Sequence, residues 1–384
     1  MTFDIKTDLR IRYIVPSPYS VNEIQADSYS VEIDRGISIE RGVFARPDVG
    51  TATIRMSKRD LSDLLSGPSY KSNQDIIIDV ADGSGGYIVL FSGIIQNVSI
   101  AYVGESGKLD IVITANDLTK VLLNTRLTNY LVTGTAAQRT FRLVCANLFA
   151  AVKAIDSRVD VTQALSGGSA TTQRADGWDD TTAGEILTQF LDAELGWCWA
   201  QKNTNALYYA TRSDINSLQA TAWNATNLTV TNNLATEGQP YHVCMSAMDL
   251  TYDSDALVNK VKVTDFFTTA TSTATNSTSV SQYGAQAADF EVTYDNTGLS
   301  NLNAWATHVA AAAQPKSIKS VTVSPVRRNG LISDIAAWDI AGVLQVEFVS
   351  PGQPTLQEIM LTSRIQHSIN ADTWFMTLGL WKGI

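Results

Sequence analysis

Apolar and polar residues alternate along the first third of the chain. Residues 29–34 alternate, Arg35-Gly36 breaks the pattern, and residues 37–41 resume it. A polar turn at residues 46–48 precedes a third alternating run, residues 50–56. Successive side chains of a strand point to opposite faces, so this pattern predicts half-buried antiparallel strands.

Further strand patterns continue through this part of the sequence. Two of them flank the glycine-rich turn 82–86, and two more flank the turn 104–107. Glycine is favoured in such turns because it adopts positive φ without steric strain. Several short strands with frequent turns predict a β-barrel or sandwich over residues 1–116.

Residues 117–243 change to helical spacing. Two capping boxes, Thr135 with Gln138 and Thr182 with Glu185, each precede a run of apolar residues three and four positions apart. In a capping box the two side chains satisfy backbone N–H groups that the first helical turn leaves unpaired. A hairpin of aromatic residues follows the second helix, so we expect a small α/β unit here.

A connecting segment with one strand, residues 228–230, leads into the third part, residues 244–384. Strand patterns return there. The threonine-rich and serine-rich stretch 268–280 predicts a long exposed hairpin or a partly ordered loop. Residues 299–314 fit a helix that ends before a proline, and the chain closes with a hairpin over residues 357–381. These features predict a second β domain with a helical insertion.

Composition favours β-structure with large protein contacts. Of the 384 residues, 45% are hydrophobic and only 17% are charged. Few charges suit interfaces, because burying an unpaired charge is unfavourable. The net charge of −10, without any basic block, argues against sequence-specific nucleic-acid binding. A channel lined with carboxylates would repel the phosphates of DNA and let a duplex pass without binding, although solubility is the simpler explanation of the negative charge.

Targeting signals and cysteines point to a protein made in a cytoplasm. No run of about 18 apolar residues predicts a membrane helix. The first residues lack the basic region and apolar core of a secretory signal. Cys145, Cys198 and Cys244 form no C-x-x-C pair, which predicts reduced thiols. Cys145 and Cys198 lie on apolar stripes, so we expect them in the core.

The sequence predicts no catalytic, cofactor or metal residue. His242 and Cys244 could ligate a metal, but no second pair lies at ligand spacing, so a structural turn is favoured. Glu185 and Glu194 could act as the acid pair of a glycosidase. The capping box already explains Glu185, so the structural interpretation is preferred.

Three further candidates also have structural interpretations. Asp253 and Asp255 resemble an oxygen-rich ion site, but the glycine and distal glutamate of a calcium loop are absent, so they indicate a turn. His308 fits a polar position on a half-buried helix face. His367 is expected to bond to backbone at a turn.

The order and spacing of five motifs resemble those of phage tail hub proteins. This family is also described as minor tail proteins or as baseplate hubs of the gp27-like family. The motifs are residues 48–53 (DVGTAT), 113–118 (ITANDL), 257–264 (LVNKVKVT), 338–342 (WDIAG) and the closing hairpin 366–380. One departure is Ala285-Gln286, where a basic residue usually follows the family's Tyr-Gly pair.

The resemblance implies a mainly β fold with α+β elements. Two β-barrel-like domains, residues 1–116 and 244–384, flank a small α/β domain with a connecting segment, residues 117–243. The second barrel carries the helical insertion at residues 299–314. We interpret the chain as a scaffold rather than an enzyme.

The resemblance also implies a place in the virion. The chain is expected to be a structural protein at the tail tip, made in the cytoplasm of a bacterial host and assembled as a homotrimeric ring. The ring would contact the distal tail protein, the tape measure protein, and tail tip or fibre proteins. It would gate the tube, and genomic DNA would pass through its lumen without specific binding.

A carbohydrate-binding adhesin at the tail tip is the alternative function. Trp178, Trp223 and Trp381 would be its exposed sugar-stacking residues, together with the threonine-rich loop. Tryptophan more often occupies a core or a subunit interface, so the hub interpretation is preferred.

Overall fold

The computed structural model describes residues 5–16, 19–41, 43–104, 106–163, 172–173, 175–203, 206–220, 228–236, 241–252, 257–292, 299–312, 316–325, 332–371 and 373–382. The chain is mainly strand, at 49%, with 25% helix. The mainly β fold class with α+β elements is therefore confirmed.

An antiparallel sheet forms the first module. Its elements are α1 (Ile5–Asp8), β1 (Leu9–Pro16), β2 (Tyr19–Glu23), β3 (Ser28–Glu40), β4 (Phe44–Pro47), β5 (Thr51–Lys58), α2 (Ser62–Ser66), β6 (Asp75–Ala81), β7 (Tyr87–Val103) and β8 (Lys108–Asn116). The strands pair in the order β2-β1-β6-β7-β8-β5-β3, with β4 on β3. The inward members of the alternating pattern, such as Val31, Ile54 and Ile113, are fully buried in one cluster.

The middle module is the expected small α/β unit. It contains α3 (Thr119–Asn124), β9 (Arg126–Leu127), β10 (Tyr130–Val132), α4 (Phe141–Ile155), β11 (Asp160–Gln163), β12 (Asp176–Trp178), β13 (Thr181–Thr182), α5 (Ala183–Glu194), β14 (Trp197–Ala200), β15 (Ala206–Ala210) and α6 (Arg212–Ala220). The apolar stripes of α4 and α5 pack together over β14 and β15. Cys145 and Cys198 lie in this core, as predicted.

Both capping boxes form, but only one starts a long helix. Thr182 Oγ1 accepts from the backbone N–H of Glu185 at 3.2 Å, and the Glu185 carboxylate accepts from Thr182 N at 3.0 Å. The box of Thr135 and Gln138 caps a short 3₁₀ turn, Ala136–Gln138, and α4 begins separately after Thr140.

The third part contains more elements than the sequence patterns predict. They are β16 (Leu228–Thr231), β17 (His242–Tyr252), β18 (Lys260–Asp265), β19 (Thr271–Thr275), α7 (Ser277–Tyr283), β20 (Ala287–Val292), α8 (Leu299–Ala312), β21 (Lys316–Val323), α9 (Ile332–Ala337), β22 (Val343–Phe348), β23 (Leu356–Ile369) and β24 (Trp374–Trp381).

Six of these strands close into a barrel. They pair in the order β23-β22-β16-β17-β21-β24, and β24 returns to β23. β16 comes from the segment that the sequence assigned to the connection between domains. It pairs in parallel with both β17 and β22, so a four-residue strand completes the ring. The domain limits themselves stay a prediction.

A separate α/β unit is inserted between β17 and β21. Its sheet has the order β19-β18-β20, and α8 packs on it. The strand expected over residues 258–266 therefore belongs to this insertion and not to the barrel. The stretch 268–280 forms part of a β18–β19 hairpin, as expected, but it then enters α7. The Asn276 side chain caps that helix by accepting from Ser279 N.

β3 is one continuous strand, so the predicted break at Arg35-Gly36 is wrong. Residues 28–34 of β3 pair with β5, and residues 37–40 pair with β4. On the opposite edge of β3, residues 31–36 pair with β23. A Cβ at Gly36 would lie 2.5 Å from the carbonyl oxygen of Ser363. The glycine therefore allows two strands to approach closely, which is a common reason for glycine within a strand.

Candidate functional site: a polar junction and an aromatic cleft

Buried polar side chains gather where the three parts of the chain meet. We call this cluster the polar junction, and it consists of Arg35, Asp117, Lys202, Asp339 and His367. Four of these residues are at most 6% exposed, and Asp339 lies at the edge. Buried charges require partners, so each contact constrains how the parts fit together.

Arg35 connects all three parts. It lies in β3, is 3% exposed, and its Nη1 donates to Asp339 Oδ1 at 3.0 Å. Its Nη2 donates to the backbone carbonyl of Ala200, at the end of β14, at 2.6 Å. A planar guanidinium donates in two fixed directions, so this side chain sets the relative positions of its partners.

Gly50 and Asp117 bring two of the family-like motifs together. Asp117 N donates to the carbonyl of Gly50 at 2.8 Å, and the Asp117 carboxylate accepts from Thr119 N at 3.0 Å. Burial raises the pKa of Asp117, and the nearby charge of Arg35 opposes that rise. The aspartate thus fixes the turn from β8 into α3.

Lys202 holds the end of α9. Its Nζ donates to the carbonyls of Ala336 and Trp338 at 2.5 and 2.7 Å. Burial lowers the pKa of Lys202 to about 8, with Asp339 opposing and Arg35 reinforcing the shift. A cation beside the last carbonyls of a helix interacts favourably with their partial negative charge.

His367 is bonded to an indole rather than to backbone. Trp374 Nε1 donates to His367 Nδ1 at 3.2 Å, so the expected backbone partner is wrong. Burial lowers the pKa of His367 to about 3, and the charges of Lys202 and Arg35 act in the same direction. The imidazole therefore stays neutral and accepts a hydrogen bond between β23 and β24.

An open cleft lies beside the junction. Its volume is about 370 Å³, and it is lined by aromatic and aliphatic side chains with carboxylates among them: Trp199, Tyr208, Leu218, Trp338, Asp334 and Asp339. We call it the aromatic cleft. Pockets of this size commonly hold ligands or partner side chains.

The aromatic lining is held firmly in place. Trp338 Nε1 donates to Thr362 Oγ1 at 2.8 Å, and a Cβ at Gly342 would lie 2.8 Å from the Trp338 ring. Trp199 and Tyr208 form an edge-to-face pair with centroids 5.9 Å apart. These contacts restrict the rotamers of the lining side chains.

The other histidine and acidic candidates take structural positions. His242 and Cys244 lie in β17 rather than in a turn. Glu194 is buried and accepts from Arg212 N at 3.2 Å, so it does not pair with Glu185. His308 is half-buried on α8, as predicted.

Neither a metal-binding cluster nor a membrane-spanning helix occurs among the described residues. No group of three or more histidine, cysteine, aspartate or glutamate residues there could hold a metal ion. Asp253 and Asp255 lie outside the described residues. No helix within the described ranges is long and apolar enough to cross a membrane.

Two of the three tryptophans proposed to stack on sugars pack against other aromatic residues. Trp381 is 8% exposed, and its ring lies 5.3 Å from that of Trp197. Trp178 contacts Tyr130 and Phe190. Trp223 lies outside the described residues.

Sequence patterns do not reveal the main junction residues. Lys202 falls in a polar hairpin turn that predicts an exposed lysine, and Arg35 falls at an apparent strand break. The sequence gives only an indirect signal: three family-like motifs contain the junction residues Asp117, Asp339 and His367, and a fourth contains Gly50, which packs against Asp117.

Comparisons with known proteins give a structural match without a sequence match. No family model matches the chain, and no curated protein matches it. A tail protein from Neisseria meningitidis MC58 superimposes with a TM-score of 0.63 at 13% identity, covering 98% of this chain and 96% of that one. The 43 kDa tail protein of prophage MuSo2 from Shewanella oneidensis gives 0.58 at 12% identity, over 98% and 96%.

A type VI secretion component resembles the chain as well. The c3393 protein of E. coli, described as similar to the T4 bacteriophage tail proteins gp27 and gp5, gives a TM-score of 0.50 at 10% identity. The match covers 94% of this chain and 76% of that protein. This chain therefore has the fold of phage tail proteins and gp27-like baseplate components along almost its whole length.

Proposed function

We propose that this protein is a structural component of a phage tail, and that it forms the hub ring at the distal end of the tail tube. The observation that supports this proposal is the superposition of 98% of this chain on 96% of each of two tail protein chains. Because the match covers almost all of each chain, it extends over the whole architecture and not over one module alone.

The polar junction suits a scaffold. Arg35, Lys202 and His367 connect strands and helices from distant parts of the chain, and none of the three reaches solvent freely. Such contacts fix the modules in one arrangement, which a ring subunit needs in order to repeat the same interface.

Exposed apolar side chains offer surfaces for assembly. Leu65, Leu131 and Leu234 are 82%, 64% and 67% exposed, and Phe266 at the β18–β19 turn is 56% exposed. Stable interfaces bury apolar side chains of this kind, usually over more than about 1,000 Å² in total.

The proposed assembly is a homotrimer at the tail tip. It contacts the distal tail protein on one side and tip or fibre proteins on the other, with the tape measure protein inside. The ring closes the tube until host contact shifts the tip, and genomic DNA then passes without specific binding. The protein acts as a scaffold and gate rather than as an enzyme.

Sedimentation velocity combined with electron microscopy tests this proposal. The purified chain should sediment as a trimer at micromolar concentration and should cap tail tubes assembled from a matching tube protein. A monomer at every concentration, with no tube capping, would contradict it. Turnover of a cell-wall polymer by the isolated chain would contradict the scaffold role.

A further inference from the structure

We propose that the aromatic cleft binds an arginine side chain presented by another protein. The partner's identity as a neighbouring tail component rests on the proposed function, but the recognition chemistry rests on the cleft alone. The cleft is lined by Trp199, Tyr208 and Trp338 together with Asp334 and Asp339.

The negative charge that the cleft offers to a cation is that of Asp334, because Asp339 is already paired with Arg35. Asp339 Oδ1 also accepts from Ile340 N at 2.9 Å and from Arg35, so its position is fixed. Asp334 is exposed at the start of α9, where its charge meets incoming ligands directly. With a net charge of −10, the whole chain attracts a basic ligand rather than an anion.

The aromatic surfaces favour a guanidinium in particular. Arginine is planar and weakly hydrated, so it stacks on indole and phenol rings while its N–H groups bind a carboxylate. Its aliphatic stem would contact Leu218 and Ala337, which also line the cleft. Lysine offers no planar face, and a neutral sugar carries no positive charge to pair with the carboxylate.

The lining needs no rearrangement before binding. Trp338 is fixed by Thr362 and Gly342, and Lys202 holds the Trp338 carbonyl from the junction side. A pre-arranged site binds more tightly because less conformational freedom is lost on association. Binding here would also place the partner next to the junction between modules.

The test uses the full chain and a short peptide, acetyl-Gly-Arg-Gly-amide. Saturation-transfer difference NMR should show transfer to the arginine side-chain protons, with a dissociation constant in the millimolar range expected of one side chain. The same peptide with citrulline, which is neutral and nearly isosteric, should bind about tenfold more weakly. Equal binding of the two peptides would overturn the proposal.

Two exposed positions provide variants that keep the fold. Asp334→Asn should weaken arginine binding about fivefold, which corresponds to the roughly 1 kcal/mol of an exposed ion pair. Its matched control is Asp110→Asn, an exposed aspartate on β8, which should change nothing. Ala337→Lys places a competing cation in the cleft and should weaken binding at least tenfold.

Other occupants give different results. Transfer to methyl glycosides, unaffected by Asp334→Asn, would overturn the proposal in favour of a sugar site. Arg327 and Arg328 precede α9 in the sequence. Peptide binding that appears only after both are changed to glutamine would assign the cleft to the chain's own arginines. Sedimentation velocity measures assembly independently of peptide binding. A trimer that binds no peptide would therefore refute this inference and leave the proposed function intact.

Discussion

Gly50 leaves no room for a side chain beside Asp117. A Cβ at Gly50 would lie 2.7 Å from Asp117 Cγ, well inside van der Waals contact. Because Asp117 is buried and bonded to Thr119, its carboxylate cannot move aside without losing that partner. The close contact between Gly50 and Asp117 is therefore possible only because glycine has no side chain.

Gly50→Ala should therefore destabilise the protein by about 2 kcal/mol, since forcing a methyl group into a packed site typically costs 1–3 kcal/mol. Urea denaturation followed by circular dichroism measures the change. Gly104→Ala is the matched control, because its Cβ would meet only Tyr102, at 3.8 Å. Similar urea midpoints for the two variants would contradict the prediction, because they would show that the neighbours of Gly50 move to accept the methyl group.

Stability should fall in acid through His367. Its folded pKa of about 3 lies below the unfolded value of 6.5, so the unfolded chain binds the proton first. The contribution is fully present above pH 6.5 and is lost as the pH falls toward 3. Between pH 7 and pH 5 the loss amounts to about 2 kcal/mol.

His367→Asn tests this, because the amide oxygen of asparagine can accept from Trp374 and does not titrate. The loss of unfolding free energy between pH 7 and pH 5 should shrink by about 2 kcal/mol. Part of the remaining loss comes from His308, whose pKa burial also lowers to about 3. If the variant loses as much unfolding free energy between pH 7 and pH 5 as the unmodified protein, His367 is not the group responsible.

At the scale of elements, α8 joins the insertion to the rest of the chain. Trp305 on α8 is fully buried, and its Nε1 donates to the carbonyl of Asp192 in α5 at 2.9 Å. The same ring contacts Phe44 of β4 and Phe290 of β20. One side chain therefore ties the insertion to the first and middle modules.

Trp305→Ala should loosen the insertion while the barrel stays intact. Removing a buried tryptophan costs about 3–5 kcal/mol, and the insertion has its own sheet that can open locally. Hydrogen exchange read by mass spectrometry should accelerate in β18–β20 and α8 but not in β22–β24. Phe375→Ala, at a ring that is 42% exposed, is the control and should leave both regions unchanged.

At the scale of the whole molecule, the first and last parts of the chain share one sheet. β3 pairs with β23 over residues 31–36 and 364–369, and Arg364 forms a bidentate pair with Asp34 at 2.6 and 2.7 Å. Ile369 and Trp374 belong to the core of the first module. The first module is therefore completed by residues from the end of the chain.

Residues 1–116 expressed alone should consequently fold poorly. The free edge of β3 would expose backbone groups that normally pair with β23, and unpaired edges promote aggregation. We expect weak near-ultraviolet circular dichroism and association on size exclusion, whereas the full chain gives sharp signals in both. A monomeric fragment with cooperative unfolding would instead support the predicted domain limit at residue 116.

The sequence predicts most of the elements and few of their partners. Alternation along β3 and β23, and helical spacing along α4 and α5, are visible because they depend on neighbours in the chain. The strand at β16 was predicted, but its place in the barrel was not, and α7 was not predicted because it lies in a low-complexity stretch. Their formation depends on contacts with distant residues.

By itself, the sequence determined that the chain is mainly β, that its middle is α/β, and that its motifs follow the order of tail hub proteins. The first two properties reside in local spacing and composition, whereas the third is a resemblance to a known family. Only the tertiary structure decided that Arg35 and Lys202 are buried, that Gly36 and Gly50 are sites of close approach, and that Trp199, Tyr208 and Trp338 form a cleft. The physical reason is that burial and contact arise when segments hundreds of residues apart pair, and no local pattern encodes that pairing.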